Sequence, residues 1–328
     1  MVVNPAAGRG RGARMLPGVR EAFAAVGVDR VMVSETAGDE KTLVRRALDQ
    51  GCTTLVAVGG DGTWSNAANA ILEARADCRL ALLAAGTGND FAKTIGTPAG
   101  DAVATARLAV EGADARIDVG KIEDRYFLNI AGFGFDIAVL EDCTRLRWPH
   151  ADTLYLVSAL RQLVGYPGVE IAVASARRRR EKARHLMLIV ANAKHFGGSF
   201  HIAPDAELTD GRLDAISILD APPLSRLGLF VAATRGTHTT NERVVTEQSA
   251  GFTLGFAEPP AYETDGEYRR ARSAELEVTC VPQALRVVTI AAAAVGRPAL
   301  VPAAARAPAI AGTAAALTHR GAAPAGAS

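Results

Sequence analysis

Three glycine-rich segments, each at the end of a predicted β-strand, constrain this chain more than any other feature. They are residues 4–10, 59–63 and 86–90. Between them, compact β-branched runs alternate with apolar residues at helical spacing, as where the run 54–58 precedes the stripe Trp64, Ala68 and Ile71. This strand–helix–strand order predicts a parallel sheet with crossover helices.

The pattern changes from about residue 116. Val169, Ile171 and Val173 alternate with polar or small residues, and further strands follow with few helices between them, one near 153–163 and one near 224–233. We therefore expect an α/β N-terminal domain with a parallel sheet (1–115) and a mostly antiparallel β-sandwich domain (116–302). Residues 303–328 are almost all Ala, Pro, Gly and Thr and are expected to be a disordered tail. Three residues precede Asn4, so the first strand is expected to look clipped.

Composition excludes several classes of function. The net charge is +1, with 36 basic and 35 acidic residues, and aromatic residues are 5% of the chain. This argues against nucleic acid as a partner, by charge or by base stacking. The four cysteines form no C-x-x-C pair, which excludes a zinc ribbon and fits a reducing cytoplasm. Since no apolar run approaches the roughly 18 residues of a spanning helix, we expect a cytoplasmic protein without a transmembrane segment.

The glycine-rich segments suit phosphate binding. In a parallel sheet, ligands bind beyond the carboxyl ends of the strands, where glycine lets backbone N–H groups approach phosphate oxygens. No G-x-x-x-x-G-K-[ST] motif is present, which excludes a P-loop. Asp61 stands in the tightest glycine turn and Asp90 follows the next strand. Carboxylates there can meet Mg²⁺ or orient an acceptor hydroxyl, the few groups that phosphoryl transfer needs.

These segments resemble the catalytic domain of diacylglycerol kinases. Residues 196–214, with F-G-G, I-A-P-D-A and T-D-G-R-L-D, are similar to a signature of soluble bacterial lipid kinases, and T-D-G-E at 264–267 resembles their D-G-E segment. In order and spacing the resemblance covers roughly residues 2–290. It implies a fold like NAD kinase and diacylglycerol kinase. The implied activity is an ATP- and Mg²⁺-dependent lipid kinase, converting diacylglycerol to phosphatidate before other lipid alcohols.

The resemblance also implies roles for particular residues. The D-G-E acids Asp265 and Glu267 would act as base towards the acceptor hydroxyl, with Asp61 linked to the metal, although in sphingosine kinases the residue matching Asp61 is the base. A structural Mg²⁺ would take the Asp210 carboxylate and the carbonyls of Glu207 and Arg212, in a segment that otherwise predicts a hairpin turn. The implied ATP-binding residues are Asn4, Pro5, Ala6, Ala7, Gly8, Thr36, Gly59, Gly60, Asp61, Gly62, Thr63, Trp64, Ser65, Asn66, Gly86, Thr87, Asn89 and Asp90.

Some positions leave alternatives open. By its own place Thr36 predicts a loop residue ahead of a helix cap at Asp39. Asn66 stands where relatives often carry Glu, and Ser199 where Gly is frequent, so the acceptor could instead be a sphingoid base, an isoprenoid alcohol or NAD, or the chain a catalytically silent nucleotide-binding regulator. The basic run 177–184 predicts either a solvated hairpin tip or a contact with anionic lipid. The expected partner is a lipid substrate at the inner membrane surface, and a homodimer is one oligomeric state left open.

Overall fold

The alternation of strand and helix predicted for the first third is present in the structure. It is a computed structural model that describes residues 1–36, 38–98, 100–145, 158, 161–177, 179 and 182–289. Four strands pair in parallel in the order β4-β3-β1-β2. They are β1 (Val2–Val3), β2 (Met32–Val33), β3 (Thr54–Gly59) and β4 (Arg79–Ala84).

Helices cover both faces of this parallel sheet, because its strands bury side chains on both sides. Along β3, Leu55 and Ala57 join the apolar cluster that contains Trp64, whereas Val56 and Val58 join the cluster that contains Phe23. Such continuous apolar strands are typical of parallel sheets. The helices are α1 (Ala7–Ala24), α2 (Asp39–Asp49), α3 (Asp61–Glu73), α4 (Asp90–Ile95) and α5 (Ala102–Glu111).

From β5 onwards the strands pair mainly in antiparallel fashion, which confirms the predicted β-sandwich class. Two of the helices here are α6 (Phe135–Arg145), which was not predicted, and α7 (Pro223–Ala233), which was. The helix predicted near 153–163 lies mostly outside the described residues, of which 161–165 are helical. The strands are β5 (Asp114–Ile122), β6 (Arg125–Phe127), β7 (Ile130–Gly134), β8 (Val169–Ser175), β9 (Ala183–Ala191), β10 (His195–Phe196), β11 (Phe200–His201), β12 (Leu213–Leu219), β13 (Val244–Ser249), β14 (Gly251–Gly255), β15 (Ala261–Thr264), β16 (Glu267–Arg270) and β17 (Glu275–Val288).

The last strand ties the two halves together. β17 pairs with β14 and β5 in antiparallel fashion, and through Arg286 and Val287 it pairs in parallel with β4. The chain therefore returns to the first sheet, and the division at residues 115 and 116 stays a prediction. The tail predicted over 303–328 lies outside the described residues.

No helix among the described residues combines the length and the apolar content needed to cross a bilayer.

Candidate active site

The three glycine-rich loops meet at the carboxyl edge of the parallel sheet. A β-carbon at Gly86 would lie 2.5 Å from the Gly60 Cα, and one at Gly8 would lie 2.1 Å from the Ala85 carbonyl oxygen. Gly8 also has a φ of +57°, in the left-handed region that favours glycine. Residues with a side chain are therefore excluded at these positions, because a β-carbon would collide with backbone atoms of the neighbouring loop. Backbone atoms move aside less readily than a flexible side chain does.

Two asparagines fix the loops by side-chain hydrogen bonds. Asn4 Nδ2 donates to Thr63 Oγ1 at 3.0 Å, and Asn4 Oδ1 accepts from the Ala6 amide at 3.0 Å. Asn89 Oδ1 accepts from the Gly86 amide at 3.0 Å, and its Nδ2 donates to the Gly86 carbonyl at 2.9 Å. The first loop is thus joined to the second, and the third is closed on itself.

Asp61 is the first residue of α3 and lies half-buried beside these loops. Its Oδ1 accepts from the Phe91 amide at 3.0 Å and from Asn129 Nδ2 at 3.4 Å. Burial raises the pKa of Asp61, and the Asp90 carboxylate raises it further. Its Oδ2 and that of Asp90 lie 3.2 and 3.4 Å from where a β-carbon at Gly88 would be. Two acids therefore converge over one glycine.

Asp90 connects the parallel sheet to the second half of the chain. Its Oδ1 accepts from Lys93 Nζ at 2.9 Å, and its Oδ2 accepts from the Gly198 amide at 2.9 Å. Lys93 Nζ also donates to the Gly198 carbonyl at 2.6 Å. The predicted F-G-G segment is consequently held against the third glycine loop.

Asp265 serves the backbone in this structure. Its side chain is buried, and it accepts from the amides of Leu128, Asn129 and Ile130 at 2.9, 2.8 and 3.2 Å. Burial raises the pKa of Asp265 to about 6, against the lowering effect of these hydrogen bonds. The carboxyl group thus fixes the turn between β6 and β7, where the Asn129 side chain reaches Asp61.

Glu267 lies next to this turn in an ion-pair network. Its Oε2 accepts from Arg125 Nη2 and from Arg269 Nη2, each at 3.0 Å. Arg125 Nη2 also donates to Asn66 Oδ1 at 2.8 Å, so the guanidinium joins Glu267 to α3. Because Asn66 is neutral, Glu267 is the carboxylate with which Arg125 Nη2 forms an ion pair.

Sequence reasoning missed a pair of buried acids, Asp136 on α6 and Glu263 on β15. Their exposed fractions are 7% and 3%, and both side chains lie over Gly132, where a β-carbon would be 2.4 Å from Asp136 Oδ2 and 3.2 Å from Glu263 Oε1. Among the described residues, no donor meets hydrogen-bond geometry at either Asp136 oxygen or at Glu263 Oε1. Burial raises the pKa of both groups, and the facing Asp136 carboxylate raises that of Glu263 further.

The physical consequence is a carboxyl pair that shares a proton, since two adjacent buried carboxylates cannot both ionise readily. The available sequence signal was Gly132 inside a strand, a position that often marks a close approach of other groups. That signal does not say which groups approach.

A cleft of about 490 Å³ runs between these groups. Four of the predicted site residues line it, namely Asp61, Thr87, Asp90 and Asp265, together with Asn129, Asp136 and Glu263. Glu267 lies beside the cleft, next to the lining residue Gly266. The other predicted residues of the first two loops do not line the cleft. Within them Trp64 and Ser65 are fully buried.

Thr36 lies at the carboxyl end of the edge strand β2, away from the cleft lining. Its hydroxyl donates to Asp39 Oδ1 at 2.8 Å, and its amide donates to Asp39 Oδ2 at 2.7 Å. Asp39 is the first helical residue of α2, and Gly38 occupies the cap position expected for it. The hydrogen bonds match the loop interpretation of Thr36.

The residues predicted for a structural metal lie in the turn before β12, outside the cleft lining. Asp210 Oδ1 accepts from the Arg212 amide at 2.9 Å, while Glu207 is exposed. Nearby, Asp118 accepts from the amides of Gly211 and Gln283 at 2.6 and 2.7 Å. Burial raises the pKa of Asp118 and of Asp210, and the Asp210 charge adds to the effect on Asp118. Among the described residues, no group of three or more His, Cys, Asp or Glu has a metal-binding arrangement.

Comparison with known proteins agrees with this architecture. Residues 1–122 match the family model of the diacylglycerol kinase catalytic domain, and residues 129–289 match that of the YegS C-terminal NAD kinase beta sandwich-like domain. A diacylglycerol kinase of Mycobacterium tuberculosis is 29% identical over 293 residues, covering 88% of this chain and 93% of the relative. One of Staphylococcus carnosus is 27% identical over 271 residues, covering 82% and 88%.

Among solved structures, the crystal structure of a diacylglycerol kinase from Bacillus anthracis has a TM-score of 0.67 at 17% identity, covering 88% of this chain and 95% of that one. At that identity the likeness concerns the fold. The two family models follow one another in the expected order and together span most of the chain. The chain therefore belongs to the diacylglycerol kinase-like family of lipid kinases.

Proposed function

We propose that this protein transfers the γ-phosphoryl group of ATP to the hydroxyl group of a lipid alcohol. The first candidate for this acceptor is diacylglycerol, whose product is phosphatidate. The observation that carries the proposal is the cleft itself. Glycine loops that exclude side chains border one side, and five acids line the cleft, namely Asp61, Asp90, Asp136, Glu263 and Asp265. Phosphoryl transfer depends mainly on positioning and on charge, which these two sets of groups supply.

The glycine loops form the nucleotide side. Gly8, Gly60 and Gly86 leave no side chains where the loops meet, so a phosphate group can approach the main chain, and the N-terminus of α3 favours negative charge. Asn4 and Asn89 hold the loops in this conformation before the nucleotide binds. Less ordering is then left to occur on binding.

The D-G-E turn and the carboxyl pair form the acceptor side. Asp265 holds the turn through three backbone amides, and Arg125 and Arg269 orient the Glu267 carboxylate. In the proposed reaction Glu267 takes the proton of the acceptor hydroxyl group. At the same time the hydroxyl oxygen bonds to the γ-phosphorus of ATP, and the bond between the γ-phosphorus and the oxygen of the leaving ADP breaks. The Asp136–Glu263 pair lines the same side of the cleft and adds negative charge to it.

Magnesium fits two places by the chemistry of the residues present. Beside the cleft, Asp61 would hold it, since burial and the Asp90 charge disfavour an isolated carboxylate there and a divalent cation would relieve both effects. In the turn 207–212, Asp210 would hold it among like charges, with the carbonyl groups of Glu207 and Arg212. When bound at the cleft, the ion supplies charge neutralisation for phosphate oxygens.

The test is transfer of labelled γ-phosphate from ATP and Mg²⁺ to lipids in mixed vesicles. The panel holds diacylglycerol, a sphingoid base and an isoprenoid alcohol, and NAD is offered in solution. We expect labelled phosphatidate, and we expect Glu267→Gln to lower kcat by about 10²-fold with little change in the KM for ATP.

The matched control is Glu277→Gln, an exposed glutamate on β17, which should retain wild-type turnover. Label in another lipid would keep the reaction and replace the acceptor. A chain that binds ATP but labels nothing would contradict the proposal and favour a regulator. Equal loss in both glutamate variants would remove the role given to Glu267.

A further inference from the structure

The outward face of α7 is apolar and exposed. Leu224, Leu227 and Val231 have exposed fractions of 86%, 49% and 49%, and their spacing places them on one side of the helix. We call these three residues the α7 face. Together with Val164 at 70%, they make up four of the seven exposed large apolar side chains found among the described residues. Exposed apolar residues that gather in this way mark an interaction surface, whereas scattered ones do not.

The exposure of the α7 face is built into the fold. Arg226, the charged residue of the helix sequence P-L-S-R-L-G-L-F-V-A-A, turns inward and is buried. Its guanidinium donates to the carbonyls of Ala221, Leu163 and Tyr166 at 2.7, 2.8 and 2.9 Å and to Asp220 Oδ1 at 2.7 Å. The arginine thus locks α7 in orientation, and the outward side is left without charge.

Exposed arginines lie at the ends of α7 and on the segment packed against it. Arg235 follows the helix and is exposed, and Arg184 lies at its start, where its carbonyl accepts from the Asp220 amide at 3.0 Å. Arg161 belongs to the helical segment 161–165 that Arg226 ties to α7; its side chain is 58% exposed and lies 3.4 Å from Asp142 Oδ1. An apolar stripe bordered by arginine matches the interface of a bilayer with anionic head groups.

The inner side of α7 leads towards the cleft. Leu229, Phe230 and Ala233 line a narrow apolar cavity together with Phe196 and Phe200. Phe196 also lines the cleft that contains Asp61 and Asp265. Phe196 therefore connects the inner side of α7 with the proposed acceptor side.

We propose that the α7 face docks the enzyme on a lipid bilayer, with Leu224, Leu227 and Val231 inserted among the head groups and Arg235 on anionic phosphates. The proposal rests on the proposed function, since a lipid acceptor is what makes docking useful. Arg184, the last residue of the basic run 177–184 that the sequence offered as a lipid contact, meets the chain just before α7 through its carbonyl group.

The experiment measures co-sedimentation of the full chain with phosphatidylcholine vesicles, with and without phosphatidylglycerol. Leu224→Ser/Leu227→Ser should weaken binding by about tenfold or more, since both leucines lose apolar area that the bilayer would otherwise bury. Arg235→Gln should weaken binding about fivefold, and only to vesicles with phosphatidylglycerol, which corresponds to about 1 kcal/mol per basic residue near an anionic surface. The control is Val103→Ser/Val110→Ser, two exposed valines of α5, which should bind as wild type.

A second assay separates docking from chemistry. Phosphate transfer to a short-chain diacylglycerol dispersed without vesicles should be the same in the α7 variant and in wild type, whereas transfer to vesicle-borne diacylglycerol should fall in the variant. Vesicle binding unchanged in the α7 variant overturns docking even if transfer is found. Vesicle binding lost in the variant supports docking even if no transfer is found, in which case the proposed function fails alone. A wild-type dimer that the α7 variant turns into monomer, with vesicle binding unchanged, would instead assign the face to a second copy of the chain.

Discussion

Asp61 and Asp265 each stand beside glycine in a short acidic turn, G-G-D-G-T in the first and T-D-G-E in the second. Asp61 accepts from one backbone amide within hydrogen-bond geometry, that of Phe91, and stays half-buried at the cleft. Asp265 accepts from three consecutive amides and is 7% exposed. The Asp61 carboxyl group therefore keeps acceptor sites for a ligand, whereas the Asp265 carboxyl group uses its acceptor sites on backbone amides.

The comparison teaches that a sequence motif can locate an acidic residue without showing whether its role is structural or catalytic. Both acids have a raised pKa and both line the cleft, so neither the direction of the pKa shift nor the position at the cleft separates them. What separates them is the number of backbone donors each one satisfies. A carboxylate that satisfies three amides holds a turn, and its loss is expected to affect folding before chemistry.

The largest expected effect is that of Asp61→Asn. The amide is nearly isosteric and its oxygen can still accept from the Phe91 N–H group, but it removes the charge. We expect kcat to fall by about 10³-fold while thermal stability stays close to wild type. Steady-state kinetics and a thermal melt on the same preparation measure this.

Asp49→Asn, at an exposed position near the end of α2, is the matched control and should keep full activity. If Asp61→Asn kept most of its activity and instead lost stability, Asp61 would belong with Asp265, and the comparison would break.

The second effect is on stability, through Asp265→Ala. Removing the partner of three buried amides should destabilise the fold by about 3 kcal/mol in acid conditions. The pKa of Asp265 is about 6, above its ordinary value, so the fold favours the neutral form. The stabilisation by Asp265 is therefore fully present below about pH 4 and is lost as the pH rises through about 6.

Urea unfolding of wild type and variant at acid and at neutral pH measures this change. We expect the gap between them to narrow by roughly 2 kcal/mol as the pH rises. Asp124→Ala is a control of opposite sign, because hydrogen bonding to Arg272 lowers the pKa of Asp124 and its small contribution should grow with pH. A gap that widens with pH for Asp265→Ala would contradict the assignment.

The first turn was more predictable from sequence than the second, for a physical reason. The strand predicted at 54–58 is β3, and glycine follows it directly, so local pattern and the rule for parallel sheets together gave the position of Asp61. The convergence of the glycine loops followed from the same rule.

The acceptor side could not be predicted in this way, because its groups come from distant segments. Arg125 and Glu267 are 142 residues apart, and Asp136 and Glu263 meet over Gly132 only once β7 and β15 have paired. No local pattern encodes these meetings. Likewise α6, which carries Asp136, was not predicted. Another helix of this half, α7, was predicted with bounds within about one residue of those observed.

A smaller effect is expected from Gly86→Ala, which tests whether the Asp61 turn depends on backbone approach. The added β-carbon would lie 2.5 Å from the Gly60 Cα, so the second and third loops must separate. Overpacking of this kind costs about 1–3 kcal/mol, and we expect about tenfold weaker ATP binding by titration calorimetry. Gly18→Ala in α1, where nothing lies within 4 Å, is the control. Unchanged affinity would show that the loop contact is dispensable.

The smallest effect concerns the link between the two turns. Asn66 on α3 and Glu267 after Asp265 share one nitrogen of Arg125. Asn66→Ala removes a hydrogen bond to a charged donor and should cost about 1 kcal/mol of stability and a few-fold in kcat, because Arg125 then orients Glu267 less firmly.

A double-mutant cycle of Asn66→Ala with Glu267→Gln shows whether the two turns act as one unit. If Arg125 transmits the effect of Asn66, then Asn66→Ala should lower kcat/KM little further in a chain that already carries Glu267→Gln. The expected coupling energy between the two substitutions is about 0.5–2 kcal/mol. Additive losses would mean that Asn66 acts on the nucleotide side alone. Coupling would mean that the glycine loops and the D-G-E turn, different as their carboxyl groups are, align through a single guanidinium.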